Sequence, residues 1–167
     1  MSKITIDYFK QLKQSNTKFA ALTAYDYTSA CLIDQSNIPL ILVGDSAAMV
    51  VFGYETTIPI SMNEMIFVAS SVSRGTRRAL IVADMPFLSY QVSIEDAILN
   101  AGRFIKESNV QAIKLEGGLK FKDHIHAIVN AGIPVMGHIG LTPQSFHQMS
   151  GYKIQGKSLS DANQLIE

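Results

Sequence analysis

Two patterns alternate along this chain, a helical periodicity and short runs of continuous apolar residues. Ile6, Phe9 and Leu12 fall at helical spacing and predict a capped amphipathic helix over residues 5–13. Residues 19–23 read as a first strand, followed by a helix over 27–35 and a second strand over 40–44. A long connection, 46–60, leads to a helix capped by Ser61, with Glu64 at the capping-box position. A third strand covers 79–83. Ser93 and Asp96 repeat the S-x-x-[DE] signal and open a helix to about residue 107. A fourth strand spans 112–116, a helix 121–131 and a fifth strand 133–137, and Ser160 is the expected cap of one more helix.

Apolar runs of this kind imply strands buried on both faces, and the helices between them imply βαβ units and a parallel sheet. Such a sheet is either open and doubly wound or an arc of a closed (β/α)8 barrel. A barrel takes ~250 residues. Five strands are legible here, and Glu167 falls early in a predicted helix with no terminator, so the chain is expected to be cut short. No repeat, low-complexity tract or linker divides it.

Four of the runs end on polar residues. The second strand leads to Asp45 and Ser46, the third to Asp84, and the fifth to His138; the fourth carries Lys114 and Glu116. In parallel α/β proteins ligands sit beyond the carboxyl ends of the strands, so these residues are expected to converge. One aspartate after a strand is ordinarily a turn former or helix cap. Two at equivalent strand ends, with Glu116 at a third, point instead to a hard divalent cation such as Mg²⁺, because three gathered carboxylates repel one another unless a cation joins them. Lys114 and Glu116 are two apart on a strand and leave the same face. Near an interior mouth Lys114 can pair with Glu116 and with a substrate anion, and in the helix layer it would be a buried, unpaired charge. His138 suits either a structural bond to its own loop or a hydrogen bond to a substrate oxyanion. His124 and His126, at i,i+2 on one helix, face different ways and are expected to be solvated. Gly117-Gly118 reads as a tight turn.

Composition narrows the alternatives. Hydrophobic residues make up 47% and charged residues 17%, which fits an ordered domain. Formal net charge is zero, so no electrostatic footprint for nucleic acid or a membrane surface is present. The apolar runs are strand-sized, well short of the ~20 residues that span a bilayer. The N-terminal residues lack a signal-peptide layout, which makes the cytoplasm the expected location. Cys31, the only cysteine, lies among apolar neighbours and reads as a buried inert thiol.

The segments Thr23-Ala24-Tyr25-Asp26, Val43-Gly44-Asp45-Ser46, Ala83-Asp84-Met85-Pro86-Phe87 and Lys114-Leu115-Glu116-Gly117-Gly118 resemble the ketopantoate hydroxymethyltransferase family. The most specific match runs from Gly137 to Ser145, with Gly151-Tyr152-Lys153-Ile154-Gln155-Gly156 after it. The resemblance implies a (β/α)8 TIM barrel of the phosphoenolpyruvate/pyruvate type, of which residues 1–167 would be a single domain holding about the first five βα units. It implies Mg²⁺ around Asp45, Asp84 and Glu116, and a 2-oxo acid contacted by Ser46, Lys114 and His138, with Asp45 and Asp84 also counted in the substrate site. It also implies transfer of a one-carbon unit from 5,10-methylenetetrahydrofolate to 3-methyl-2-oxobutanoate, giving 2-dehydropantoate for pantothenate and coenzyme A, in a homo-oligomer. The family's base, a glutamate ending a sixth strand, has no counterpart by position, so no catalytic base is expected within residues 1–167, although Glu116 is a conceivable weak substitute. The family usually carries Leu-Gly after the Asp-Ser pair, and here Ala47-Ala48 follow; a glycine needed there for positive φ would leave Ala48 strained. Two other readings are a Mg²⁺-dependent lyase or mutase of the same superfamily, and an inactive half-barrel that needs a partner to cover its open edges.

Overall fold

A computed structural model describes residues 2–167; Met1, the first residue of the N-terminal stretch read for targeting, lies outside them. The elements follow one another as α1 (Ile6–Gln14), β1 (Ala21–Thr23), α2 (Tyr27–Gln35), β2 (Leu40–Val43), α3 (Ala47–Val50), α4 (Met62–Gly75), β3 (Leu80–Asp84), α5 (Ile94–Arg103), β4 (Ala112–Glu116), α6 (Lys122–Asn130), β5 (Val135–His138) and α7 (Leu159–Ile166). One π turn, Phe104–Ser108, continues α5.

All five strands are parallel and lie in sequence order, β1-β2-β3-β4-β5. A doubly wound sheet needs a reversal of that order with helices on both faces. Here one face of the sheet, through Ile41, Val43, Ile81, Ala83, Ile113 and Leu115, packs on α2, α4, α5 and α6. The other face puts Leu40, Leu80, Val82 and Ala112 together with Phe9 of α1. One-sided helices over an ordered parallel sheet are an arc of a barrel, which settles the alternative that the sequence left open. Each fully buried aliphatic side chain contributes ~1.5–3 kcal/mol, so this two-faced packing fixes the pleat. A one-residue slip would turn every interior residue into the helix layer.

Four helix starts are set by side-chain caps, that of α2 by Asp26, which accepts from the Ser29 amide. Ser61 and Glu64 form the reciprocal capping box expected of them, and Ser93 accepts from the Asp96 amide. α7 is capped by Ser158, which accepts from the Asp161 amide, and not by Ser160. The segment Ser158-Leu159-Ser160-Asp161 is itself an S-x-x-D signal, and it starts the helix two residues early. The tie from Asp34 to the segment before β3 has no sequence signature. Its carboxylate, at the end of α2, accepts from the backbone amides of Arg77, Arg78 and Ala79 and so holds the start of β3.

Several expectations are corrected. β1 is exposed along its whole length and β5 is largely half-exposed, so the idea of strands buried on both faces holds for β2, β3 and β4. The cause is position, since β1 and β5 are the edges of the sheet. Ala47 and Ala48 lie buried in α3, and Ala48 is not among the residues with positive φ, so the loop carries no strain there. His126 is exposed, but His124 is half-buried, stacked edge-on against Phe121.

Candidate active site at the carboxyl end of the sheet

The pleat that sends Ile113 and Leu115 into the helix layer sends Lys114 and Glu116 into the interior. Strand register then decides their neighbours: Asp84 pairs across from Lys114, and Glu116 from His138. Lys114 Nζ donates to Asp84 Oδ1 at 2.8 Å. The expected Lys114–Glu116 pair is therefore replaced by Lys114–Asp84. Cross-strand neighbours stand ~5 Å apart at Cβ, whereas i,i+2 positions on one strand are ~6.6 Å apart.

Asp45 follows β2 by two residues, and its amide donates to Asp84 Oδ2 at 3.2 Å. Ser46 is held by Tyr25, hydroxyl to hydroxyl at 2.8 Å. Gly44 makes room for this arrangement. A Cβ there would stand 2.6 Å from Ser46 Oγ and 3.7 Å from Asp84 Oδ2. The Gly117 turn, expected from sequence, is similarly obligatory, with φ +119° and the Phe121 ring 2.5 Å from any Cβ. His138 Nδ1 lies 3.4 Å from Glu116 Oε1 but makes no hydrogen bond.

The residue that sequence reasoning missed is Gln144. It lies in the loop after β5 and is 5% exposed. Its backbone amide donates to Glu116 Oε2 at 2.9 Å, and its side-chain Nε2 donates to Asp45 Oδ2 at 2.9 Å. Tyr90, fully buried, was missed as well. Its hydroxyl lies 2.8 Å from the Glu116 carbonyl, 3.1 Å from Gln144 Oε1, and accepts from the Glu116 amide. Gln144 sits in the most specific segment of the sequence, which was its only signal.

Electrostatically the site is anionic and buried. Asp45, Asp84 and Glu116 are 4%, 6% and 6% exposed, against one nearby ammonium, Lys114. Burial, and then the Asp84 carboxylate, push the Asp45 carboxyl up to about 7. Burial raises Asp84 too, against the opposing pull of Lys114. Among the described residues, no three His, Cys, Asp or Glu side chains are gathered closely enough to enclose an ion by themselves. Oxygen donors that leave part of the coordination shell to water or substrate match the habit of Mg²⁺, which keeps several waters. As placed, Asp45, Asp84 and Glu116 are neighbours at the strand ends and not a closed ligand set, and Ser46, Lys114 and His138 stand beside them.

Comparisons with known proteins identify the family and the fold. The family model for ketopantoate hydroxymethyltransferase matches residues 3–167. A 3-methyl-2-oxobutanoate hydroxymethyltransferase of Dehalococcoides mccartyi is 54% identical over 99% of this chain and 59% of its own length. Proteins of the same name from Clostridium botulinum and Carboxydothermus hydrogenoformans are 56% and 50% identical, over 98% and 100% of this chain and 59% and 60% of theirs. The chain thus spans about three fifths of the curated relatives it matches. Among solved structures, phosphonopyruvate hydrolase aligns with TM-score 0.67 at 14% identity, over 90% of this chain and 55% of that one. 2,3-Dimethylmalate lyase, a member of the PEP mutase/isocitrate lyase superfamily, aligns with TM-score 0.65 at 18% identity, over 99% and 57%. At such identities the likeness shows the fold.

Proposed function

The chain belongs to the ketopantoate hydroxymethyltransferase family, and we propose that its strand ends form the acceptor half of that family's site. In this reading Asp45, Asp84 and Glu116 hold Mg²⁺, and Ser46, Lys114 and His138 contact the 2-oxo acid. The observation that carries it is the convergence of these residues at the carboxyl ends of four strands, with three buried carboxylates near a single ammonium.

The acceptor is 3-methyl-2-oxobutanoate and the donor 5,10-methylenetetrahydrofolate. C3 loses its proton and gains a bond to the one-carbon unit, water supplies the hydroxyl, and 2-dehydropantoate and tetrahydrofolate leave. A bound Mg²⁺ would polarise the carboxylate and keto oxygens of the acid and so acidify the adjacent C–H. Lys114 supplies positive charge beside Asp84 for the substrate anion, and Ser46, oriented by Tyr25, offers a hydroxyl. His138, whose buried Nδ1 lies 3.4 Å from Glu116 Oε1 without a hydrogen bond, is the imidazole placed beside the acid. The base that takes the C3 proton is not assigned among residues 1–167; the family places it at the end of a sixth strand. We read these residues as one domain of a barrel, and the protein as a cytoplasmic homo-oligomer in the pantothenate and coenzyme A route. Among the described residues no helix is long and apolar enough to cross a membrane.

The test is a calorimetric titration with Mg²⁺ and then 3-methyl-2-oxobutanoate. Asp45→Ala and Asp84→Ala are expected to abolish metal binding, each by loss of an oxygen ligand. Lys114→Ala is expected to weaken the keto acid more than the metal, because it removes charge complementary to the anion. Unchanged Mg²⁺ affinity in both aspartate variants would sink the metal assignment. Equal losses for metal and acid in Lys114→Ala would make the lysine a structural partner of Asp84 only.

A further inference from the structure

A serine just before a helix ordinarily turns its hydroxyl onto the free amides of the first turn. Ser46, at the start of α3, does not. Such a cap needs extended backbone, whereas Ser46 already has helical angles, φ −55° and ψ −12°, and its side chain makes no capping bond. The hydroxyl is turned instead toward the neighbouring strand end, to the hydroxyl of Tyr25 at 2.8 Å, 21 residues earlier. Gly44 supplies the room, since a Cβ there would stand 2.6 Å from Ser46 Oγ.

Tyr25 follows β1 by two residues and leads into Asp26, the cap of α2. Its ring is partly buried against the core of the helix layer. The bond to Ser46 therefore adds the end of β1 to the site, which the four strand ends picked out from sequence do not include. Tyr25 and Ser46 have two hydroxyl protons between them. One lies in the shared bond and one is left over, because neither oxygen has a second partner among the described residues. A phenol is a stronger acid than an aliphatic alcohol and the better donor of the pair. With Tyr25 donating, Ser46 is the acceptor, and its own proton is the one left to give. A hydrogen bond given to an ionised group is roughly twice as strong as one between neutral groups.

We propose that Tyr25 is a positioning residue that fixes Ser46 as a proton donor, so that this corner of the mouth favours a carboxylate over a neutral group of the same shape. This rests on the reading of Ser46 as a contact of the 2-oxo acid. Tyr25 touches no substrate atom and acts through Ser46.

The experiment is titration of the full chain with 3-methyl-2-oxobutanoate and with its uncharged amide, 3-methyl-2-oxobutanamide. Wild type is compared with Tyr25→Phe, Ser46→Ala and the double variant. Phenylalanine keeps the ring that packs on the core. Ser46→Ala is expected to lower the preference for acid over amide by about tenfold, the worth of one hydrogen bond to a charged group. Tyr25→Phe is expected to lower it by about threefold, because Ser46 keeps its proton but loses the neighbour that aligns and polarises it. In the Ser46→Ala background the same change is expected to move the preference by less than about 1.5-fold. A 3-fluorotyrosine at position 25, a stronger donor, is expected to raise the preference by about twofold below neutral pH, where it stays protonated.

A general loosening of the mouth weakens acid and amide together and leaves the preference where it was. That result in Tyr25→Phe, with Ser46→Ala effective, overturns the inference. An undiminished effect of Tyr25→Phe in the Ser46→Ala background also overturns it, since Tyr25 would then meet the ligand itself. Should Tyr25→Phe not fold, the absence of a rise with fluorotyrosine overturns it. A wild type that binds neither ligand, or a preference that Ser46→Ala leaves unchanged, refutes the acid contact of Ser46, which is the separate failure of that reading.

Discussion

The interior of the arc has two layers built from the same strands, and they differ completely. On β3 and β4 the lower layer is Leu80, Val82 and Ala112, closed from below by α1, while the next interior positions upward are Asp84, Lys114 and Glu116. The two layers stand only ~6.6 Å apart, two residues along a strand. The floor is held by contact, with each side chain replaceable by another of similar volume. The rim is held by directed bonds, Lys114 to Asp84 and Gln144 to Asp45 and Glu116, in which each partner specifies the other. The dry floor also acts on the rim, since it removes water from beneath the carboxylates and raises the cost of their charge.

The strongest way to break this contrast is to carry the chemistry of the floor upward. Lys114→Met leaves Asp84 buried without its cation, and removal of one partner from a buried pair costs ~3–5 kcal/mol. Denaturation by urea in the presence of a chelator should show a loss of that size; a loss near zero would mean that Asp84 is hydrated in solution.

A second, somewhat smaller effect is a dependence on pH. The Asp45 carboxyl is raised to about 7 by burial and by Asp84, so the folded state holds its proton more tightly than the unfolded chain does. The stabilising contribution is complete below the unfolded value of about 3.9 and disappears as pH rises to about 7, a change of up to about 4 kcal/mol. Metal-free protein should therefore lose stability across that window, and Asp45→Asn should flatten the profile. A flat profile in the wild type would show that the rim is not desolvated.

Opening the floor sharpens the contrast from the other side. Leu80→Ala should cost about 3 kcal/mol through lost burial and the cavity left behind. Because the rim is held by its own bonds, Mg²⁺ affinity should change less than about twofold; a larger change would show that the layers are mechanically coupled. The smallest effect is expected outside both layers. Asp34→Ala removes the acceptor for three amides at the start of β3 and should cost about 1–2 kcal/mol, mostly lost by acidification, since hydrogen bonds from those amides hold the carboxyl below its ordinary range despite partial burial. An unchanged midpoint would mean that water replaces the carboxylate there.

What the sequence made legible follows from range. Tyr27–Gln35 and Ala112–Glu116 coincide with their expected bounds because local periodicity and flanking turns decide them. The six residues Asp45, Ser46, Asp84, Lys114, Glu116 and His138 could be placed at strand ends because apolar runs mark where strands stop. Their bonding could not, because it depends on register between strands; hence Lys114 was matched with Glu116, two residues away, and not with Asp84, thirty away. Gln144 and Tyr90 belong to loops with no period, and their contacts cross 99 and 26 residues of sequence. Exposure of β1 was equally hidden, since an edge strand can carry the same apolar letters as a central one.

The order of the strands also has a consequence in time. Each strand from β2 to β5 pairs with the one synthesised just before it, about 20 to 40 residues earlier. At ~5–20 residues per second, that interval is a few seconds of translation. Every pairing in the arc can therefore close while the chain is still being made, and none of the four waits for a strand not yet translated. Among the described strands the outer edge of β1 is the exception: the first of these five to be made, it keeps its unpaired side and the exposed Leu22 open while the other four assemble. Until something covers it, that edge is where a chaperone or a neighbouring nascent chain would take hold.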